Sequence, residues 1–349
     1  MYLENKVARI AWVDVAKGIG ILLVILGHTV SEVGTLAEQM IRALIFSLHM
    51  PLFFILSALT YQFSIDITEF VFKLKKSFKH LIIPALILYG IRILVAISTD
   101  YSSIEWKKFL ISKMDILFWS SGSAVHLATQ NIPAFGIMWF CVVLFFSREL
   151  YDFLHLKVSK KVLIFYCVVG TLLGIYISYW QWLPLSMDLS FAVLLFLYFG
   201  YYLKNIDMNK YCLKCGGICF VLWIISLFLT IYIEHDYLEL ATRRYPLFPL
   251  SYFTAMVGTM FVAYLSVGIL KYEKLAVLLI YIGKNSLWLY CVHAMDYTYI
   301  FVWDITHNNF INSAIRIVAD IFLCVLVLKI KEILAEKSLV ITQYTAGQN

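Results

Sequence analysis

Charged residues are scarce in this chain of 349 residues, and their scarcity excludes a soluble globular protein. Only 14% of the residues are Asp, Glu, Lys or Arg, whereas 62% are hydrophobic, and the mean hydropathy is +0.83. Soluble domains carry about 25% charged residues and about 45–50% apolar ones. One core of a chain this long cannot bury so much apolar surface, so lipid must cover much of it.

Other absences narrow the class of protein further. No small-residue cleavage site follows the apolar run from Ile19 past Val30, so we interpret this run as a first membrane helix rather than a signal peptide. Cys212, Cys215 and Cys219 lie close together, but no second ligand pair follows them, and we predict no metal site there. The net charge of +6 comes from short basic clusters between apolar runs, which does not indicate nucleic-acid binding.

Long apolar segments dominate what is present. A span needs about 20 mostly apolar residues, and ten segments meet this requirement: about 15–34, 43–64, 80–98, 133–152, 162–181, 187–204, 213–233, 249–270, 276–296 and 311–331. We therefore predict an all-α, polytopic membrane protein with about ten transmembrane helices, and one membrane domain over 1–349 without a soluble appended domain. Aromatic side chains in the longest break, about 99–132, predict a helix that lies in the membrane interface.

The basic residues predict the orientation of these spans. Eighteen of the 28 Lys and Arg residues fall in the N-terminus and every second loop, six fall in the other loops, and four fall within or at the edge of spans. Cytoplasmic loops carry an excess of Lys and Arg. An even number of spans places both termini on one side of the membrane, and the excess of Lys and Arg predicts that this side is the cytoplasm.

The first span contains ionisable residues where they are costly. Asp14, Lys17 and His28 lie in it, although a charged side chain at the centre of a membrane helix costs about 2.5–3.5 kcal/mol on insertion scales. Lys17 and His28 are eleven residues apart, close to three helical turns, so they share a face. The spacing predicts one polar stripe that rises about 16 Å, from the cytoplasmic surface to an imidazole near the midplane. A buried structural His, with Asp14 and Lys17 at headgroup level, would produce the same pattern.

Two further histidines enter membrane segments from the outer side. His49 precedes Pro51 in the second span, and His293 lies in the outer half of the ninth. Three His from three helices can converge on a catalytic centre or on a metal ion. Carboxylates at comparable depth are few, so we predict a site without metal.

Several segments together resemble the acyltransferase-3 family of membrane proteins, and within it the fucose 4-O-acetylase-like branch of glycan O-acetyltransferases. The matching segments appear in the family's order along most of the chain: Trp12 to Gly18, Leu26 to His28, His49 to Ser57, the basic run before Pro84, Met138 to Phe140, Phe199 to Tyr201 and Ile282 to His293. This sequence departs from the family pattern at Lys17 and His80, where Arg is more usual, and at Ala58, where Gly is frequent.

The resemblance implies a fold of about ten helices and a reaction that crosses the membrane. An acyl group, usually acetyl, would pass from cytoplasmic acetyl-CoA to a hydroxyl of a glycan or lipid-linked oligosaccharide on the outer side, such as O-antigen or exopolysaccharide. It also implies a bacterial inner-membrane location. Acetyl-CoA is a substrate in this reaction, and no tightly bound cofactor is expected. A homodimer is left open.

The residues then receive expected roles. His28 would act as a general base or accept the acyl group itself, with assistance from His49 or His293. Expected donor-binding residues are those near the cytoplasmic side: Asp14, Lys17, Lys75, Lys76, Lys79 and Arg148. Expected acceptor-binding residues lie in the outer loops: Glu234, Asp236, Arg243, Arg244, Trp303 and Asp304. Topology signals and contacts with anionic lipid would also account for the single lysines.

Two other classes of protein share these features. A transporter or flippase for a lipid-linked sugar would also have a buried polar stripe and a basic inner face, although the hydropathy shows no inverted repeat, which many transporters have. A polysaccharide polymerase would carry a large external loop rich in Arg, and the external arginines here are only Arg42, Arg243 and Arg244. Turnover of acyl-CoA separates the enzyme from both alternatives.

Overall fold

The computed structural model describes residues 10–30, 32–100, 104–127, 130–208, 210, 212–296, 305–306 and 308–346. Helices make up most of this structure. Their bounds are α1 Ala11–Thr29, α2 Leu36–Phe46, α3 His49–Thr60, α4 Ile67–Asp100, α5 Trp106–Trp119, α6 Trp139–Lys157, α7 Lys160–Trp180, α8 Met187–Ala192, α9 Leu194–Leu203, α10 Cys212–Glu234, α11 Leu250–Ile269, α12 Glu273–Lys284, α13 Ser286–Asp296 and α14 Asn309–Ala346. Two short antiparallel strands, β1 (Val125–His126) and β2 (Asn131–Ile132), lie between α5 and α6.

The predicted all-α membrane fold is confirmed. Seven segments of the described chain are helical, long and apolar enough to cross a membrane, and nine qualify if two bent helix pairs each count as one span. The remaining predicted span, 133–152, corresponds to α6, a 19-residue helix that carries Arg148, Glu149 and Asp152. The total of ten crossings and the cytoplasmic termini stay predictions. A helix, α5, also forms in the long break where one was expected.

The peripheral helices expose apolar side chains. Only 17% of the membrane-length part of α4 is buried inside the protein, and only 28% of that of α10. Ile218, Phe228 and Tyr232 on α10 are at least half exposed. A large exposed apolar surface of this kind marks contact with a membrane or a partner, and its position on spanning helices agrees with lipid contact.

Helix α1 lies at the centre of the fold and packs against α12, α11, α14 and α3. Its contact with α12 is made backbone to backbone. A Cβ atom on Gly283 would overlap the carbonyl oxygen of Asp14, and one on Gly18 would overlap the carbonyl of Leu279. Small residues permit such close approach, which drives helix association in membranes where no hydrophobic effect operates.

Three breaks in the helices place polar atoms inside the fold. The pair α12 and α13 is bent by 65° around Asn285, and the pair α8 and α9 is bent by 49°. The break between α2 and α3 falls at Ser47 and Leu48, where the hydroxyl of Ser47 accepts a hydrogen bond from the indole N–H of Trp223 at 3.0 Å. Broken backbone at membrane depth is tolerated where it is buried in protein or lines a cavity.

We predict that Gly283→Ala destabilises the protein, because its methyl group would force α1 and α12 apart. Overpacking of this kind costs about 1–3 kcal/mol, which exceeds the gain of up to about 1 kcal/mol in helix propensity. The apparent Tm of the purified variant, measured in one detergent, should fall. Gly217→Ala on α10 is the matched control, because nothing lies within 4 Å of its Cβ position. An apparent Tm for Gly283→Ala as high as that of the control would contradict the backbone contact.

Candidate active site

The structure brings the three predicted histidines together. His28 near the end of α1 lies 5.8 Å from His293 on α13, measured between ring centroids. His28 also contacts Phe46 at 6.0 Å, and Phe46 packs edge-on against His49 at 4.6 Å. His49 and His293 are almost fully buried, whereas His28 is partly exposed. The three rings therefore form one cluster, in which His28 is accessible.

Asp320 on α14 is a member of this cluster that the sequence reasoning missed. Its Oδ2 lies 2.9 Å from Nδ1 of His293, and both side chains are fully buried. A carboxylate only accepts hydrogen bonds, so Nδ1 of His293 carries the proton, and Nε2 is the acceptor nitrogen of the neutral ring. Arg316, also buried, lies one helical turn before Asp320. The insertion cost that singled out Asp14, Lys17 and His28 applies equally to these two residues of α14.

A backbone carbonyl of the preceding helix orients the imidazole ring of His49. Its Nδ1 lies 3.0 Å from the backbone carbonyl oxygen of Ile45. This carbonyl belongs to the end of α2, where the helix break leaves it available. Nδ1–H therefore donates, and Nε2 of the neutral ring can accept a proton. His49 and His293 thus share the same tautomer, each fixed by an oxygen atom.

A cavity of about 220 Å³ opens beside the histidines. Its lining includes His28, His49, Arg42, Trp139, Glu239 and Thr242. We name it the outer cavity, because Glu239 and Thr242 belong to the loop between α10 and α11, which the topology predicts to be external. Its walls therefore combine imidazoles, a guanidinium, a carboxylate, a hydroxyl and an aromatic face.

Arg42 holds the rim of the outer cavity and was also missed. Its Nη1 donates to the carbonyl oxygen of Gly27 at 3.2 Å, and its Nε donates to the hydroxyl of Tyr237 at 3.0 Å. Its guanidinium lies 4.0 Å above the ring of Phe46. Burial raises the pKa of Tyr237, so this hydroxyl stays protonated and can donate onward.

Two larger cavities lie at the other end of α1. The first, of about 400 Å³, is lined by Lys17, Lys284, Tyr290 and several apolar side chains. The second, of about 560 Å³, is lined by Lys73, Lys76 and Lys79 among others. The two cavities share four lining residues, Thr60, Tyr61, His80 and Arg148. We refer to them together as the inner cavity.

Helix α1 connects the inner cavity with the outer one. Lys17, Ile21 and Val24 line the inner cavity, and His28 lines the outer cavity. These four residues follow the spacing of one helical face, as the predicted stripe requires. Met50 lines both cavities and is 8% exposed. One flexible side chain therefore lies where the two cavities meet.

The predicted donor-binding residues divide into two groups. Lys17, Lys76, Lys79 and Arg148 line the inner cavity. Lys75 is exposed on α4 and is absent from the lining, although it neighbours Lys76 in sequence. Asp14 is buried where α1 packs on α12, and its backbone contacts Gly283. Four of the six residues that were expected to bind the donor therefore line the inner cavity.

Arg148 is fixed on one side of the inner cavity. Its guanidinium lies 4.8 Å above the ring of Tyr61, and its Nη2 donates to the hydroxyl of Ser77. The segment that carries Tyr61 is itself anchored by Asp152, which accepts hydrogen bonds from the hydroxyl of Tyr61 at 3.1 Å and from the backbone N–H of Ser64 at 2.7 Å. The buried carboxylate of α6 thus shapes the wall where the two inner cavities join.

The predicted acceptor-binding residues also divide. Arg244 and Asp236 form an ion pair of 3.0 Å near the rim of the outer cavity. Arg243 instead points into the protein, where it pairs with the buried Asp188 at 2.9 Å and lies 4.0 Å above the ring of Trp182. This placement favours a structural role for Arg243. Glu234 is exposed at the end of α10, and Trp303 and Asp304 lie outside the described residues.

No group of three or more His, Cys, Asp or Glu side chains among the described residues could hold a metal ion. The histidines lie next to Asp320, but the geometry there is that of a hydrogen-bonded pair. The side chains of the cluster can themselves accept or donate a proton, or orient a hydroxyl group by a hydrogen bond.

A family model described as "Acyltransferase domain", that of the acyltransferase-3 family, matches residues 10–329. The chain belongs to the acyltransferase-3 family. Together with its apolar helices, this membership makes it a multi-pass membrane acyltransferase. Comparisons with curated proteins and with solved structures found no match. The matched range includes α1, the histidine cluster, Asp320 and the residues that line all three cavities.

We predict that the two adjacent arginines respond differently to substitution. Arg243→Gln would leave the buried carboxylate of Asp188 without its partner, which costs about 3–5 kcal/mol. Arg244→Gln is the matched control, because its side chain is 29% exposed and its ion pairs with Glu32 and Asp236 contribute about 0–1 kcal/mol. The buried Glu239, which Arg244 also contacts, keeps Arg42 as its partner. The apparent Tm should fall strongly only for Arg243→Gln. Equal losses of Tm would refute the structural role of Arg243.

Proposed function

We propose that this acyltransferase transfers an acetyl group from cytoplasmic acetyl-CoA to a hydroxyl of a surface or cell-envelope glycan, in a bacterial inner membrane. The observation that carries the proposal is the path along α1. A basic inner cavity leads to Met50, and the outer cavity, which His28 and His49 line, begins on the other side of this residue. A glycan O-acetyltransferase of the fucose 4-O-acetylase-like branch needs such a path, with its termini in the cytoplasm.

The inner cavity suits the charged end of the donor. Lys73, Lys76, Lys79 and Arg148 place four cations around the 560 Å³ space, and phosphate groups of CoA carry the complementary charge. The narrower 400 Å³ space beyond it is lined by Ile21, Val24 and other apolar side chains, which suits a thin pantetheine arm. Bound in this way, the donor presents its thioester towards Met50 and His28.

His28 is then placed to act as the general base. It would take the proton of the acceptor hydroxyl, and the oxygen would attack the thioester carbonyl. The C–S bond breaks as the C–O bond forms, and the departing sulfur of CoA takes up the proton from the imidazolium. The buried carboxylate of Asp320, held on His293 next to His28, stabilises the positive charge that His28 carries between these steps.

We predict that His28→Ala lowers kcat for acetyl transfer by about 10²–10⁴-fold, the usual contribution of general acid–base catalysis. The measurement is release of CoA thiol by purified protein in nanodiscs, with acetyl-CoA and with the host's envelope glycan or its lipid-linked precursor. His126→Ala is the matched control, because His126 is exposed and lies in none of the three cavity linings.

Two results would count against this assignment. Full transfer by folded His28→Ala would remove the catalytic role of His28. No release of thiol by the wild-type protein with several acyl-CoA donors would instead favour the transporter interpretation. An acetylated enzyme after acid quenching, detected by mass spectrometry, would replace the direct transfer with a two-step route through an acyl-histidine.

Substitution of neighbouring lysines tests the proposed binding site for the donor. Lys76→Gln combined with Lys79→Gln should raise KM for acetyl-CoA about tenfold or more, since a lost hydrogen bond to a charged group costs about 1.5–3 kcal/mol. Lys75→Gln should leave KM within about twofold, because its side chain faces away from the cavity lining. An equal rise for both variants would show that overall charge, rather than a built site, attracts the donor.

A further inference from the structure

The rim of the outer cavity contains a set of ion pairs. The guanidinium of Arg42 contacts Glu32 and Glu239, each at 3.4 Å. That of Arg244 contacts Glu32 at 3.1 Å, Asp236 at 3.0 Å, and also Glu239. Two cations thus meet three carboxylates, and each guanidinium contacts more than one carboxylate. The rim as a whole carries no excess of positive charge.

The inner cavity is charged in a different way. Lys17, Lys284, His80 and Arg148 line its 400 Å³ part, and no carboxylate of the described residues lines either of its two parts. An anion on the inner side therefore meets a lining with cations and, among the described residues, no carboxylate. The two ends of the same path are built for ligands of different charge.

A negatively charged acceptor would be disfavoured in the outer cavity. To bind Arg42 it would have to displace Glu239, whose side chain is only 7% exposed, and this buried carboxylate would lose one of its two guanidinium partners. Breaking such a pair is expensive. A neutral, hydroxyl-rich ring needs no such exchange: its hydroxyls can donate to Glu239 and accept from Arg42 and Thr242, while its apolar face lies on Trp139.

The size of the cavity restricts the ligand further. Its volume of about 220 Å³ is smaller than the roughly 300–1,000 Å³ of sites that enclose drug-sized molecules. One sugar ring, rather than an oligosaccharide, fits beside the histidines.

We propose that the outer cavity is the subsite for a single uncharged sugar ring of the acceptor, selected against uronic acids and phosphorylated sugars by the paired charges of Arg42, Arg244, Glu32, Asp236 and Glu239. This proposal rests on the proposed function, because it assigns the acceptor side of the same site. It names the acceptor's chemical class and gives the rim a role in specificity.

Binding can be tested without turnover. Matched methyl glycosides serve as probes: methyl glucoside with methyl glucuronide, and methyl galactoside with methyl galacturonide. Saturation-transfer NMR on the full chain in nanodiscs should show the neutral member of at least one pair with a signal at least about fivefold stronger than its anionic counterpart. A stronger signal from the anionic members, or no signal from any probe with folded protein, would overturn the proposal.

A charge change tests the mechanism of selection. Glu239→Gln removes one of the three carboxylates, so the rim changes from a net negative charge to two cations facing two carboxylates, and Arg42 loses its buried partner. The ratio of neutral to anionic signal should therefore fall about fivefold or more. Glu105→Gln is the matched control, an exposed carboxylate just before α5 that lies outside the cavity lining, and it should leave the ratio unchanged. If Glu239→Gln does not fold, Asp236→Asn makes the same change at a more exposed residue.

The outcomes separate this proposal from the enzymatic one. An unchanged ratio in the folded charge variant, or an equal change in Glu105→Gln, would remove the role of the rim even if acetyl transfer proceeds. Selective binding of a neutral probe without any release of CoA thiol would instead preserve the subsite and refute the proposed reaction.

Discussion

The backbone contact between α1 and α12 constrains where two of the clustered histidines lie. Gly18 and Gly283 allow the two helices to touch without intervening side chains. His28 follows Gly18 by ten residues, and His293 follows Gly283 by ten residues. The contact therefore fixes the register in which two histidines from distant parts of the chain arrive 5.8 Å apart. In a membrane, where packing rather than the hydrophobic effect holds helices together, such a contact is a strong positional constraint.

Burial of charge explains the arrangement around this register. Charges at membrane depth are tolerated when they are paired or face a water-filled cavity. Asp320 is paired with His293, and the arginines of the outer rim are paired with carboxylates. The lysines of the inner side line open cavities. The same physical cost is therefore met by ion pairs at the outer site and by access to a cavity at the inner one.

The sequence predicted the helices and the polar stripe well, because both depend on local spacing. Lys17 and His28 lie on one face of α1 as expected, and the helices occur where apolar runs of sufficient length occur. The expected convergence of His28 and His293 is also observed, and it was predicted from their positions in separate spans. The helices and the polar stripe follow from a periodicity that can be seen in a single segment.

Other features depend on contacts that no local pattern specifies. Lys75 and Lys76 are equivalent in the sequence, but the rotation of α4 points only one of them into the cavity. Arg243 and Arg244 are adjacent, yet the path of their loop buries one and leaves the other at the rim. Asp320 could have been singled out by its cost in a membrane segment. Its pairing with His293, however, depends on how α13 and α14 pack.

The position of Met50 between the cavities has a consequence for the membrane as a permeability barrier. Met50 lines both the inner cavity and the outer cavity. Along this path, one apolar and flexible thioether side chain therefore separates the two cavities. Apolar constrictions of this kind exclude ions by excluding water. In the proposed reaction, the pantetheine arm of the donor would fill the inner cavity and exclude water and ions from it, while the acetyl end of the donor extends past Met50. Under the proposed function, the cell would acetylate outside sugars without exporting a free activated acetyl donor and without dissipating its ion gradients.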